Sequence, residues 1–365
     1  MNKKVLHVSA GGLGYGGVST VIFDIVEPLH EEFSFGCVVY SRELEREELF
    51  QKYGTIHRLR GYPKNGKRNY GELILRPFRM YFGIRKICKT HHYDVIHCHN
   101  QRDEWICLLA AKHAKVPVRI AHSHVTTSPK KRTWLENWYR NISPRMLRKV
   151  ATVSLGCSEL ACSQFYAHKD YMVIPNSIDL EKYTVPAERP AHNLNFIHVG
   201  RFTYAKNQEF VLETFAHVCK ALPQAHLYLV GYGEAHEVER LKTLIKTLDI
   251  EENVEMIPGD TADVSAYYAK CQYMIFPSRF EGFGIVLLEA QATGIQCYVS
   301  ENIQKEVDVG LLHFLQLSDG PQKWAEFIVS DIQNGQKKTL DQEKLSKYSN
   351  ASVCARYAAV YRGEI

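Results

Sequence analysis

Two glutamates, Glu281 and Glu289, stand in one short frame, Phe276-Pro277-Ser278-Arg279-Phe280-Glu281-Gly282-Phe283-Gly284-Ile285-Val286-Leu287-Leu288-Glu289. The apolar stretch before Pro277 predicts a buried strand, and the residues from about Gly284 to Thr293 predict a helix that Gly294 stops. Glu281 therefore falls in a glycine-bearing loop and Glu289 in the helix after it. The backbone N–H groups of Phe283, Gly284 and Ile285 open that helix, where amides lack intrahelical partners and the helix dipole is positive. Carboxylates accept from hydroxyls and amides donate to phosphates, so the pair of features suits a ligand that carries both, as a nucleotide sugar does. A second loop, Gly200-Arg201-Phe202-Thr203-Tyr204-Ala205-Lys206-Asn207, lies between a predicted strand (195–199) and a predicted helix (208–221). Its cations, Arg201 and Lys206, sit at the carboxyl end of a strand, where fixed positive charge neutralises a leaving diphosphate.

Earlier in the chain, two predicted strands end in histidine pairs, His97 with His99 and His122 with His124. Residues two apart share a face of a strand, so either pair could start a metal site. Nothing in the sequence fixes the third ligand or the carboxylate or thiolate that such sites use. No Asp-x-Asp occurs, which removes the usual carboxylate pair for a metal-bound diphosphate. No metal is expected. The carboxyl ends of parallel strands are where open α/β sheets place ligands, and this is the reading preferred for both pairs.

The elements that would position these groups repeat. Lys4 to Ala10 predicts a buried strand, followed by Gly11-Gly12-Leu13-Gly14-Tyr15-Gly16-Gly17 and a helix from about Val18 to Leu29, the opening of a doubly wound α/β domain. Gly12-x-Gly14-x-x-Gly17 matches a dinucleotide fingerprint, yet the second predicted strand (34–40) ends in Ser41-Arg42 rather than in the acidic residue a ribose needs; Glu43 follows a basic residue. The alternative is a loop whose amides approach a phosphate or an acceptor. Residues 54–71 read as a basic loop with Lys64, Lys67 and Arg68, residues 73–89 as a helix, residues 126–148 as a basic aromatic segment broken at Pro144, and residues 341–361 as one final helix. The strand–loop–helix pattern restarts at Leu194. The expected organisation is an N-terminal Rossmann-like domain (1–175), a polar linker (176–193), a C-terminal Rossmann-like domain (194–345) and a C-terminal helix (346–365).

In the frame Pro-Ser-x-x-Glu-Gly-Phe-Gly-x-x-x-Leu-Glu-Ala, residues 277–290 resemble the signature of retaining GT-B glycosyltransferases, family 4 (glycosyl transferases group 1), a family with members in bacterial capsular and exopolysaccharide synthesis. Gly200-Arg201-x-x-x-x-Lys206 matches a second motif of that family residue for residue, and Ile174-Pro175-Asn176-Ser177-Ile178-Asp179 resembles its interdomain turn, with Ser177 in place of glycine. Gln296 stands where the family usually has proline, and Tyr232 where it usually has aspartate. The resemblance implies an α/β, GT-B fold of two Rossmann-like doubly wound domains facing a central cleft, the first binding the acceptor and the second the nucleotide sugar, with the C-terminal helix crossing back to the first domain. It implies a retaining hexosyltransferase that moves a sugar from a UDP-sugar donor to a hydroxyl of a lipid-linked glycan. Arg201 and Lys206 would stabilise the departing diphosphate, and Glu281 would bind the donor sugar's hydroxyls. His122, or His124 by a shift of one pleat, would meet the donor sugar region. Glu289 would hold the ribose, with Gly282, Phe283 and Gly284 at the donor. Gly259 would end the strand whose backbone reads the base. Gly16 and Gly17 would approach a phosphate or the acceptor. No cofactor is implied, the nucleotide sugar being a substrate.

Composition limits the rest. A chain of 365 residues with a net charge of +5 accommodates two domains and anionic ligands without demanding either a membrane or a nucleic acid. Ten cysteines without a Cys-x-x-Cys pair read as reduced thiols of a cytoplasmic protein. The short apolar run after Lys4 does not make a signal peptide, and no apolar run spans a bilayer. The two basic aromatic stretches (73–89 and 126–148) suit peripheral contact with the inner membrane face; no nucleic-acid module is present, and no nucleic-acid partner is expected. Two alternatives stay open: a dinucleotide-dependent oxidoreductase built on the N-terminal glycine loop, and a non-catalytic sugar-nucleotide-binding protein.

Overall fold

The computed structural model of the protein describes residues 2–9, 12–14, 17–40, 46–59, 70–99, 103–124, 134–186, 194–258, 263–335 and 337–365, without the side chains of 70–74 and 134–140. The chain forms two compact units, Met1–Ser177 with Asn350–Ile365, and Ile178–Ser349.

The first unit carries β1 (Lys4–Ser9), α1 (Gly17–Leu29), β2 (Ser34–Val39), α2 (Glu47–Gln51), β3 (Gly54–Arg58), α3 (Tyr70–His91), β4 (Val95–Cys98), α4 (Glu104–His113), β5 (Val118–Ser123), α5 (Trp134–Val150), β6 (Val153–Gly156), α6 (Glu159–Phe165) and β7 (Met172–Val173). Its strands form one sheet in the order β3-β2-β1-β4-β5-β6-β7, every pair parallel. A parallel sheet is covered by helices on both faces, so its strands read as near-continuous buried runs. In β1 every residue after Lys4 is buried, and β4 is buried throughout. Leu6, Val8, Ile84, Ile96, Leu108 and Leu147 form the core on one side.

The second unit carries β8 (Asn195–Val199), α7 (Gln208–Ala221), β9 (His226–Gly231), α8 (Ala235–Thr247), β10 (Val254–Pro258), α9 (Val264–Lys270), β11 (Tyr273–Phe276), α10 (Ile285–Ala292), β12 (Gln296–Ser300), β13 (Leu312–Leu315), α11 (Gly320–Asn334) and α12 (Gln342–Ser346). The sheet order is β10-β9-β8-β11-β12-β13, again all parallel. Phe196, Phe215, Leu229 and Trp324 lie in its core. Side-chain caps start two of its helices: Asp263 accepts from the Ser265 amide before α9, and Asp341 from the Lys344 amide before α12. In both sheets the strand order reverses after the first strand, between β1 and β4 and between β8 and β11. A crevice at the carboxyl ends of the strands follows from that reversal.

The last helix, α13 (Asn350–Arg362), returns to the first unit. It lies against α1, where Cys354 donates to the Asp24 carbonyl, Arg362 pairs with Glu32 at 2.6 Å, and Val353, Tyr357, Val360 and Tyr361 are buried.

Several boundaries differ from the sequence expectation. The region 54–71 does not begin as a loop: Gly54–Arg58 is strand β3, paired with β2. Pro144 does not break α5, which runs through it, and α3 likewise contains Pro77. Residues 341–361 are not one helix but α12 and α13, separated where the chain passes from one unit to the other. Gly16, Gly259, Lys64, Lys67, Arg68 and residues 130–133 lie outside the described residues, as do the side chains of Trp134, Trp138, Tyr139 and Arg140. No described helix is long and apolar enough to cross a membrane.

Candidate active site

In the second unit, the β8–α7 loop and the β11–α10 loop are locked together. His198, inside β8, donates from Nδ1 to the Ile275 carbonyl (2.9 Å) and accepts at Nε2 from the Gln208 amide (3.3 Å), which also donates to the Arg201 carbonyl (2.9 Å). Burial pushes His198 down to about 4, so the ring is neutral at physiological pH and keeps the lone pair that Gln208 needs. Asn207 takes a left-handed conformation (φ 60°) and donates its side-chain amide to the Pro277 carbonyl (3.1 Å). The Arg279 amide donates to the Ala205 carbonyl (2.8 Å). These ties bring Lys206 onto Glu281 as an ion pair, with the Lys206 ammonium 4.7 Å from the centroid of the Phe276 ring. Arg201 is exposed, and its guanidinium lies 5.7 Å from the Tyr232 ring centroid. The strands converge tightly at this end: a Cβ at Gly231 would fall 2.1 Å from the Gly200 carbonyl oxygen.

The Glu281 loop is held from below. Glu281 accepts from the Gly282 amide (3.2 Å), and the Gln304 side chain donates to the carbonyls of Gly282 and Glu281. Gly284 is the N-cap of α10 with φ 93°, a conformation that suits glycine, and Phe283 beside it is buried with its ring 6.0 Å from that of Tyr348. On α10 itself, Glu289 accepts from the Tyr268 hydroxyl (3.1 Å). Burial raises the Glu289 carboxyl above its ordinary value, while hydrogen bonds from Tyr268 and Tyr183 and the charge of Lys182 act the other way. Lys182 in turn pairs with Asp263 (3.2 Å), and the Tyr183 and Tyr268 rings meet edge-on at 5.9 Å. Lys206 and Glu281 therefore meet after the carboxyl ends of β8 and β11, with Arg201 on the loop of Lys206, Glu289 in α10, and Gly282, Phe283 and Gly284 between the two glutamates in sequence. Such an arrangement can hold a diphosphate at one end and hydroxyls at the other.

In the first unit, the glycine loop is fixed by serines: Ser9 and Ser19 both donate to the Gly12 carbonyl (2.9 and 3.1 Å). Gly17 begins α1, and a Cβ added there would meet nothing within 4 Å. The histidines do not form two separate pairs. His7 of β1 lies in register with His97, and five imidazoles, His7, His97, His99, His122 and His124, share one face of the sheet. His122 is 0% exposed and bonds to His97 (3.0 Å), whereas His124 is 9% exposed and bonds to His99 (2.7 Å). His124 is thus the more accessible of the pair. Burial pushes His7 and His124 down to about 3 and the other three below their ordinary value, with neighbouring histidines adding to the effect for those three.

Sequence reasoning missed Asn207, Tyr183, Tyr268, Gln304 and His7. Asn207 closes the Arg201–Lys206 motif and was within reach of it. The other four carry no local signal: each becomes relevant only through a strand neighbour or a loop distant in sequence.

Two parallel, doubly wound sheets of this order, the second presenting a strand–loop–helix rim with the Lys206–Glu281 ion pair, are the architecture of the GT-B glycosyltransferases. A family model described as Glycosyltransferase Family 4 matches residues 15–182, and one described as Glycosyl transferases group 1 continues over residues 183–307. The chain belongs to glycosyltransferase family 4. It is 28% identical to EpsF of Bacillus subtilis (strain 168), which is named as a glycosyltransferase, over 92% of this chain and 89% of that one. A UDP-Gal:alpha-D-GlcNAc-diphosphoundecaprenol alpha-1,3-galactosyltransferase of Escherichia coli is 23% identical over 62% of each chain. Among solved structures, Anabaena HepE in complex with UDP and glucose superposes with a TM-score of 0.78 at 19% identity, covering 98% of both chains.

Proposed function

We propose that the protein transfers a hexose from a UDP-sugar to a hydroxyl of a lipid-linked saccharide, with retention of anomeric configuration, in bacterial surface polysaccharide synthesis. The observation that carries this reading is the meeting of Lys206, on the loop that also carries Arg201, with Glu281, from loops that follow different strands of the second unit. Arg201 and Lys206 take the diphosphate, aided by the amides at the start of α10. Glu289, presented by Tyr268 and Tyr183, accepts from the ribose hydroxyls, and Glu281 accepts from hydroxyls of the sugar. Gly259 ends the segment that meets the base. The bond from the anomeric carbon to the diphosphate oxygen breaks, the bond to the acceptor oxygen forms on the same face, and the departing phosphate takes the acceptor proton. Glu281 and Glu289 are not a hydrolase pair of acid and nucleophile. Positive side chains stand where a metal would otherwise neutralise the diphosphate, so transfer is expected to proceed in a chelator.

The first unit takes the acceptor, through the loop containing Gly16 and Gly17 and through His124, with His122 behind it. The UDP complex of HepE and the diphosphoundecaprenol substrate in the name of the E. coli relative support the donor and acceptor classes. On α3, Leu75, Phe78 and Phe82 are 48%, 60% and 60% exposed, on a helix that also carries Arg79, Arg85 and Lys86. Apolar rings among cations suit the headgroup region of an anionic bilayer, which would place the enzyme peripherally on the cytoplasmic face. The test is calorimetric binding of UDP, GDP, ADP and NAD to the wild type, Glu289→Ala and Arg201→Ala. UDP binding weakened by both substitutions supports the reading. NAD binding untouched by either change, but lost in Gly14→Val, moves the function to the first glycine loop.

A further inference from the structure

The geometry points to a transition-metal site in the first unit, in which His99, His122 and His124 coordinate one divalent ion of the zinc class and His7 and His97 support the ligands from behind. One ring nitrogen from each of the three ligands lies within 4.8 Å of those of the other two. The parallel register makes this possible: β4 and β5 are adjacent, and the second histidine of each pair continues the face of the first. His7, His97 and His99 form a second such group, but His7 and His97 are wholly buried and His97 is also bonded to the Tyr361 hydroxyl (2.8 Å). The group containing His124, 9% exposed, holds the least buried of the five rings.

The hydrogen bonds behind two of the three ligands, His99 and His122, are those a metal site uses, while His124 Nδ1 is buried without a partner. A ligating imidazole uses one nitrogen for the metal and donates from the other to a fixed acceptor. With His99 coordinating through Nδ1, its Nε2 donates to His7 Nδ1 (3.0 Å). With His122 coordinating through Nε2, its Nδ1 donates to His97 Nε2 (3.0 Å), and His97 Nδ1 then donates to the Tyr361 oxygen (2.8 Å). One set of tautomers satisfies all three bonds and leaves His99 Nδ1, His122 Nε2 and His124 Nε2 as lone pairs. His122 Nε2 is buried with no hydrogen-bond partner, a polar atom that the protein alone leaves unanswered. His99 Nδ1 and His124 Nε2 are 2.7 Å apart; tetrahedral zinc, with Zn–N of about 2.0–2.1 Å, sets its ligand nitrogens roughly 3.3 Å apart. Small ring rotations supply the difference. The ligands are neutral imidazoles, and no carboxylate belongs to either group. That set favours zinc, nickel, cobalt(II) or copper over magnesium or calcium. Three protein nitrogens leave a fourth position for water. The three ligands belong to the first unit, the charges assigned to the diphosphate, Arg201 and Lys206, to the second, and the metal assignment does not rest on the proposed transfer.

The whole protein, stripped with EDTA and equilibrated with zinc or cobalt(II) chloride, tests the site. After gel filtration in a weak competing chelator, wild type is expected to retain one zinc per chain by mass spectrometry. The cobalt form is expected to show tetrahedral d–d absorption, and zinc to raise the melting temperature. His99→Gln and His124→Gln are each expected to lose the metal and the absorption, while His236→Gln, altered at an exposed histidine outside the cluster, keeps both. The His124 variant, changed at the least buried ligand, carries the test if His99→Gln does not fold. Wild type that retains no zinc, or zinc retained equally by the folded His124 variant, overturns the assignment.

Discussion

His198 is a buried, neutral ring whose two nitrogens are both committed, one to Ile275 and one to Gln208. Its folded value is near 4 and the unfolded value is 6.5, so the unfolded chain takes up a proton first as pH falls. Lys206, the charge that faces it, pushes the same way. The stability His198 contributes is therefore complete above pH 6.5 and is lost as pH falls toward 4, at about 1.4 kcal/mol per pH unit. Between pH 7 and pH 5 the loss from this one group is about 2 kcal/mol. Hydrogen exchange of the β8 and β11 amides is expected to report that loss, and His198→Gln to flatten the pH dependence at a lower starting stability. Tyr268 makes a second residue-scale prediction. It donates to Glu289 from a fully buried position, and a hydrogen bond to a charged acceptor is worth about 1.5–3 kcal/mol. Tyr268→Phe keeps the ring and removes only the donor, so the second unit is expected to lose about 1.5–3 kcal/mol of stability, and UDP affinity is expected to fall as Glu289 loses an orienting partner. Unaltered UDP affinity in that variant would show that Glu289 needs no orienting partner.

The β11–loop–α10 element shows what local sequence can and cannot reveal. Its strand, its loop, its helix start and both glutamates were legible, because proline, glycine and an apolar run mark their boundaries directly. The positive φ of Gly284 was not stated by any spacing, but it explains why glycine stands there: a Cβ would lie 3.3 Å from Leu287 Cδ1 and 3.4 Å from Glu281 Cγ, on a backbone that disfavours one. Gly284→Ala is expected to destabilise the second unit by about 1–2 kcal/mol in urea denaturation and to weaken nucleotide binding, since the strained cap adjoins the loop that carries Glu281 and the Leu287 side chain must give way. Helix α5 was misread for the opposite reason. A proline inside a basic aromatic run looks like a stop, yet the structure carries the helix through Pro144, as tertiary packing overrides propensity. Strand β3 was hidden because its glycine and polar residues resemble a loop, and only pairing with β2 defines it. The histidine face was half legible. Two pairs could be placed at strand ends, but the strand order that adds His7 is a property of the sheet. For α3, Phe78→Ser with Phe82→Ser is expected to reduce sedimentation with anionic vesicles several-fold while leaving UDP binding intact; equal sedimentation would mean that this exposed face does not meet lipid.

At the scale of the whole chain, the first unit is discontinuous and the second is an insertion. The chain leaves the first unit after Ser177 and re-enters it at Asn350, and those crossings are adjacent: Ile178 and Ser349 form a parallel bridge, and the Ile178 amide donates to the Tyr348 carbonyl (2.9 Å). A segment whose ends meet can be removed or expressed alone with little loop-closure penalty. Helix α13 cannot be spared in the same way. Tyr357 and Tyr361 are among the largest fully buried side chains, and the Tyr361 hydroxyl bonds to His97 at the back of the histidine face. Removing a buried aromatic side chain alone costs about 3–5 kcal/mol, and deleting α13 removes two such residues together with Val353 and Val360. Residues 178–349 expressed alone are therefore expected to unfold cooperatively, and residues 1–177 alone to remain without fixed tertiary structure. Residues 1–177 joined to 350–365 by a short glycine-serine linker are expected to regain it, as near-ultraviolet circular dichroism and urea unfolding would show. A cooperative fold in residues 1–177 alone would contradict this division and would make α13 a passenger rather than part of the first unit's core.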